Sequence, residues 1–119
     1  MFTISGTHVR LTQGDTGILT ILAKETDHVF TDADKAVLTI RRPNGSLMLE
    51  TVLQPEADGK VQIPFTNDLT DGWKVGDYVW DIRYVIKAVI EEGKIVDGAQ
   101  VITPMAPGTF TVVKAVGKV

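Results

Sequence analysis

Gly76-Asp77-Tyr78-Val79-Trp80-Asp81-Ile82-Arg83-Tyr84-Val85-Ile86 alternates large apolar side chains with small or charged ones over its whole length. In a β-strand successive side chains point to opposite faces. Tyr78, Trp80, Ile82, Tyr84 and Ile86 therefore share one face, and Val79, Asp81, Arg83, Val85 and Lys87 share the other. A helical period would scatter these rings around a cylinder; a strand collects them into a core face. The alternation predicts one long strand, Tyr78–Ile90, packed between two sheets.

Outward from that strand, Gly, Pro, Asn and Asp punctuate the chain about every eight to twelve residues, the spacing of short strands in a sandwich or barrel. The residues between are β-branched and aromatic, which favours pleated strands. No stretch holds an i, i+3, i+4, i+7 apolar stripe long enough for a surface helix. Strands are expected at Phe2–Ile4, His8–Thr12, Ile18–Lys24, Ala36–Arg42, Leu47–Leu53, Lys60–Phe65, Ile95–Thr103 and Thr109–Val113. Residues 25–34 read as an acidic loop with Val29 and Phe30 dipping inward, and Thr66–Trp73 as one helical turn crossing between sheets. Arg42-Pro43-Asn44-Gly45-Ser46 reads as a tight hairpin in which Asn44 and Gly45 supply two positive φ angles. Glu91-Glu92-Gly93-Lys94 closes a second hairpin, and Pro104 to Gly108 forces a kink.

The run Trp73-Lys74-Val75-Gly76-Asp77-Tyr78-Val79-Trp80 resembles a tyrosine corner, in which a Tyr hydroxyl bonds back to upstream backbone. It raises an immunoglobulin-like antiparallel β-sandwich with Greek-key connections above a generic barrel. Antibody domains place a cysteine two positions after that Tyr; here Trp80 stands there and fills the space by bulk. With 119 residues the chain is one domain by size, expected over residues 1–114 with a flexible tail at 115–119.

Composition narrows the function classes. A net charge of −3 and scattered basic residues disfavour nucleic acid, which needs a basic face, and disfavour anionic membrane surfaces too. The absence of cysteine leans toward folding in a reducing cytosol. The N-terminus has neither the basic nor the apolar region of a signal peptide.

Site chemistry is sparse. The two histidines, His8 and His28, adjoin no nucleophile motif, so no catalytic residue is assigned and no enzyme is expected. Asp27, Asp32 and Asp34 in one loop, with Asp68 and Asp71 in another, could offer oxygen ligands to calcium. Their spacing matches neither an EF-hand nor a Gly-Asp repeat, and aspartates favour turns for local hydrogen bonds; no metal or cofactor is assigned. Glu91 and Glu92 are adjacent on a hairpin tip and point apart, which rules out a paired-carboxylate site. Trp73, in a turn, is the one aromatic expected at the surface, and a carbohydrate-stacking reading rests on it alone. The remaining anomaly is apolar content on the second face of the final hairpins: Val79, Val85, Val89, Ile95, Val101 and Ile102 form a possible partner surface.

The patterns Gln13-Gly14-Asp15-Thr16-Gly17, Arg41-Arg42-Pro43-Asn44-Gly45, Gly76 to Arg83 and Pro107-Gly108-Thr109-Phe110-Thr111-Val112 together resemble small phage and prophage structural proteins. The chain looks like the N-terminal domain of phage baseplate upper proteins and related tail or fibre components, and the resemblance spans most of its length. The resemblance implies a virion part made in the host cytosol, a tail, baseplate or fibre component that packs against copies of itself or neighbouring virion proteins, with no catalytic residues to carry over. Baseplate proteins usually continue into a further region, whereas the sandwich here takes up nearly the whole sequence. An immunoglobulin-like adhesion or carbohydrate-binding module is the alternative.

Overall fold

The computed structural model describes residues 2–22, 28–103 and 107–115. Among them the chain is mostly strand: β1 (Thr3–Ser5), β2 (His8–Thr12), β3 (Gly17–Ile21), β4 (Lys35–Arg41), β5 (Leu47–Leu53), β6 (Val61–Phe65), the short helix α1 (Asn67–Asp71), β7 (Gly76–Ile86), β8 (Val89–Glu91), β9 (Lys94–Asp97), β10 (Gln100–Ile102) and β11 (Gly108–Val113). The large sheet runs β1-β2-β11-β7-β4-β5, with β10 pairing the far end of β7. All its pairings are antiparallel except that of β11 with β2. A two-stranded ribbon, β3 with β6, forms a second layer, and β8 with β9 forms a separate hairpin. The all-β expectation holds.

β7 carries the core. Tyr78, Trp80, Ile82, Tyr84 and Ile86 are all buried, as the alternation requires, together with Ala36, Leu38 and Ile40 of β4 beside them. Leu19, Ile21, Val61, Ile63 and Phe65 of the ribbon close over this face in one continuous cluster. Trp80 and Tyr84 bring polar atoms into the core, and those atoms find partners, as burial demands. The Trp80 indole N–H is shared between the Thr7 and Thr109 carbonyls at 3.0 and 3.1 Å. The Tyr84 hydroxyl donates to the Gly59 carbonyl at 2.5 Å. Burial, with the Asp58 charge adding to it, pushes its pKa up to about 12, so it stays a donor throughout the ordinary pH range.

The Tyr78 hydroxyl donates to the Lys74 carbonyl at 2.5 Å, four residues upstream. Tyr78→Phe keeps the ring and removes only this bond. The expected cost is about 1 kcal/mol, the net worth of a single hydrogen bond. It should show as a lower urea midpoint at unchanged slope.

Three local expectations need correcting. β7 stops at Ile86 and not at Ile90, because Lys87 adopts φ 51° and gives its N–H to Asp34 Oδ1. The expected strand Ile95–Thr103 is two, β9 and β10, separated at Gly98. There the backbone passes so close to Val85 that a Cβ would lie 2.3 Å from its Cγ1. The turn after β4 is also not the two-residue kind. Pro43 fixes its own φ near −65°, Gly45 alone has positive φ at 88°, and Arg42 and Ser46 close the loop by Arg42 N–H to Ser46 carbonyl at 2.9 Å. The paired positive angles occur instead at Glu92 (52°) and Gly93 (76°), the tip of the β8–β9 hairpin.

The expected strand start at Phe2 and end at Lys24 become Thr3 and Ile21. Pro104, Lys24, Asp27 and residues 116–119 of the expected tail lie outside the described residues.

Candidate functional site

The face of the large sheet turned away from the ribbon is where functional surface can lie, and the strand registers fix its layout. Lys35 pairs with Val85, Val37 with Arg83, Thr39 with Asp81, and Arg41 with Val79. On the far side of β4, Val37 meets Val52 and Thr39 meets Glu50. Val101 of β10 extends the face beside Val85. Ile95, from the β8–β9 hairpin, reaches over this face, so that sheet and hairpin enclose an open hollow of about 300 Å³. Arg41, Glu50, Asp81 and Arg83 line it together with Val37, Val85, Ile95 and Val101.

Two cations and two carboxylates balance in this hollow, so it has no strong preference for an anion or a cation. The Arg83–Asp81 pair is loose, at 3.8 Å, with Arg83 61% exposed; a pair of that kind contributes little. The hollow is open and its lining mixes aliphatic with balanced charged groups, unlike the mostly apolar clefts that hold small ligands.

The six aliphatic residues picked out in the sequence do not form one patch. Val79 (44% exposed), Val89 (48%) and Val101 (56%) are open to solvent. Val85 is buried against the Gly98 backbone, with Val101 beside it in the sheet, and Ile95 is half-buried at the hollow. Ile102 faces the other way, packed against the core. The sequence missed Ile90 and Val96, both exposed on the same hairpin as Val89. The expected strand running through Lys87 to Ile90 hid this hairpin: among the described residues β8 and β9 pair only with each other, and a lone two-stranded hairpin cannot bury both its faces.

Trp73 is not a surface aromatic. The α1 turn swings it inward, where its ring meets Phe65 and Phe110 at 5.8 and 5.6 Å between centroids. The turn is set by Thr66, whose hydroxyl caps the Leu69 N–H, and by its docking on the 13–15 turn. Thr70 Oγ1 donates to the Asp15 carbonyl and Asn67 Nδ2 to the Gly14 carbonyl, each at 2.8 Å. Gln13 Nε2 then donates to the Trp73 carbonyl at 2.8 Å, anchoring the buried ring's own backbone.

Of the loop aspartates, Asp34 is 2% exposed and committed to hydrogen bonds. Its Oδ2 accepts from His28 Nε2 at 2.8 Å and Thr31 N–H at 2.9 Å, and its Oδ1 accepts from Lys87 N–H at 3.0 Å. Asp68 and Asp71 stand on α1. Among the described residues no three His, Asp or Glu side chains converge as a metal site. His8 Nδ1 contacts Thr109 Oγ1 across the parallel β2–β11 pair, far along the chain from His28. No helix among the described residues is long and apolar enough to cross a membrane.

Comparison of the chain with protein-family models and with curated proteins found no match.

Proposed function

We propose that this protein is a non-enzymatic assembly component of a phage or prophage virion, a tail, baseplate or fibre part built on an immunoglobulin-like sandwich. The observation that carries the reading is the exposed β8–β9 hairpin with Val89, Ile90 and Val96 bare, set beside the open, charge-balanced outer face. Aliphatic surface concentrated on a projecting element usually marks a partner-binding site. The Tyr78–Lys74 bond and the ribbon covering one face of the large sheet support the immunoglobulin-like form of the fold. The sequence resemblance supplies the particle. Partners are then other virion proteins or further copies of this chain, met first in the bacterial host cytoplasm and afterwards in the virion. With Trp73 buried, no observation favours the adhesion or carbohydrate-binding alternative.

The test is incorporation. Particles induced from the bacterial source and banded by density should contain the chain at fixed stoichiometry. The double variant Val89→Lys with Val101→Lys should be lost from them. Both residues are about half exposed, so its melting temperature should stay close to wild type. A chain found only in the soluble fraction, never with particles, would defeat the reading.

A further inference from the structure

We propose that the free edge of β5 pairs antiparallel with β5 of a second copy, about a two-fold axis through Thr51. The inference rests on the assembly reading and adds a surface distinct from the β8–β9 hairpin.

β5 is the last strand of the large sheet, and among the described residues it pairs with β4 alone. Its sequence, Leu-Met-Leu-Glu-Thr-Val-Leu, has no Gly or Pro and one charge, Glu50. From Leu49 to Leu53 its register against β4 is unbroken; the one irregularity lies at the end near Met48. Natural proteins blunt such edges with lysine, proline, bulges or very short strands, because unpaired N–H and C=O groups in a flat apolar strand recruit another strand. The opposite edge, β1, is blunted in that way, being only three residues long. β5 is not.

The second layer explains why this edge is unfinished. Strands lie about 4.8 Å apart, so a two-stranded ribbon spans less than half of a sheet six strands wide. Met48, Leu49 and Leu53, on the core side of β5, accordingly remain only partly buried against the core. An open strand edge and an incompletely covered apolar strip thus coincide on one strand.

A second copy fits this edge through its charge and register. A two-fold axis perpendicular to the sheet keeps the core sides of both copies on one side and allows only registers in which some residue faces itself. Centred on Glu50, the register would oppose two carboxylates. Centred on Thr51, it sets Leu49 beside Leu53 on the core side and Glu50 beside Val52 on the outer side, and each copy's uncovered strip continues into the other's. Cross-strand pairs of this kind are what stabilise a sheet. A strand from a different protein is the competing occupant.

Two substitutions at one site separate them. Val52 is half-buried on the outer face, so Val52→Glu and Val52→Lys burden the fold similarly. In the proposed register, residue 52 faces Glu50 of the other copy. Sedimentation of the wild type over a concentration series should show one copy passing to two. Val52→Glu should raise the dissociation constant about tenfold or more, whereas Val52→Lys should keep the dimer and make it salt-sensitive. Independently of any variant, amide exchange in residues 49–53 of the wild type should slow as concentration rises. A single-copy mass up to about 1 mM, equal effects of Glu and Lys at 52, or edge amides indifferent to concentration would each overturn the pairing. A single-copy protein that still enters particles would sink this pairing and leave the assembly reading standing; a dimer never found in particles would do the reverse.

Discussion

Replacing Asp34 with alanine is expected to destabilise the protein by about 3 kcal/mol, lowering its melting temperature by roughly 10 °C. The carboxylate has three partners from separate parts of the chain: His28 Nε2, Thr31 N–H and Lys87 N–H. An ionised carboxylate only accepts, so the proton on the His28 contact belongs to Nε2. Alanine leaves all three donors facing a site that is 2% exposed, and an unmet buried donor costs more than a made bond contributes. Lys87 also holds a left-handed φ of 51°, a conformation that side-chain-bearing residues keep only when their surroundings enforce it. Asp34 is that enforcement. With Ala88 N–H to Ala33 carbonyl at 2.9 Å, it fixes the point where β7 turns away into the β8–β9 hairpin.

The same site sets a pH dependence. Burial raises the Asp34 pKa, but the bonds from His28 and from the Lys87 and Thr31 N–H groups outweigh it, and the net value lies below the ordinary 3.8. A group depressed on folding contributes its stability in full above its unfolded value and loses it as pH falls through the folded value. The gap in unfolding free energy between wild type and Asp34→Asn should therefore be present at about pH 5 and shrink below about pH 4. Urea unfolding at stepped pH measures it; a gap that does not narrow in acid would remove Asp34 as its source.

Much of the large sheet was legible because its signals are local. The alternation from Tyr78 to Ile86 identified its own buried face, and the apolar runs on either side of Asn44-Gly45 located β4 and β5. What escaped depended on contacts between distant residues. Asp34 reads as one more acidic loop residue until Lys87, fifty-three positions on, is placed against it. Trp73 reads as a turn aromatic until the bonds from Gln13 and Thr70 draw the α1 turn onto the core. The Asn44-Gly45 turn departs from the two-residue form for a local reason: Pro43 beside it fixes a negative φ and so selects the longer loop. In the candidate site, the outer-face residues of β7 could be listed from the period of two. That Val85 lies covered while Val101 is bare could not, since Gly98 decides it.

The parallel pairing of β2 with β11 was equally invisible, and its weak point makes the second large prediction. Thr7 O, at the entrance to β2, accepts from both Thr109 N–H at 3.2 Å and the Trp80 indole at 3.0 Å. Gly108 stands at this junction because nothing larger fits: a Cβ there would lie 2.3 Å from Thr7 O and 2.6 Å from Trp80 Nε1. Trp80→Ala is expected to cost about 4 kcal/mol, the usual toll of deleting a buried large aromatic. Gly108→Ala should cost about 2–3 kcal/mol by forcing β2 and β11 apart. If the indole were the main obstacle, removing it would make room, and the double variant would be scarcely less stable than Trp80→Ala. The nearer atom is the backbone oxygen, which no side-chain change can move. The double variant should thus remain at least about 1 kcal/mol less stable than Trp80→Ala alone. Equal urea midpoints for those two proteins would mean that the parallel pair can open freely at Thr7, and that the indole alone keeps residue 108 a glycine.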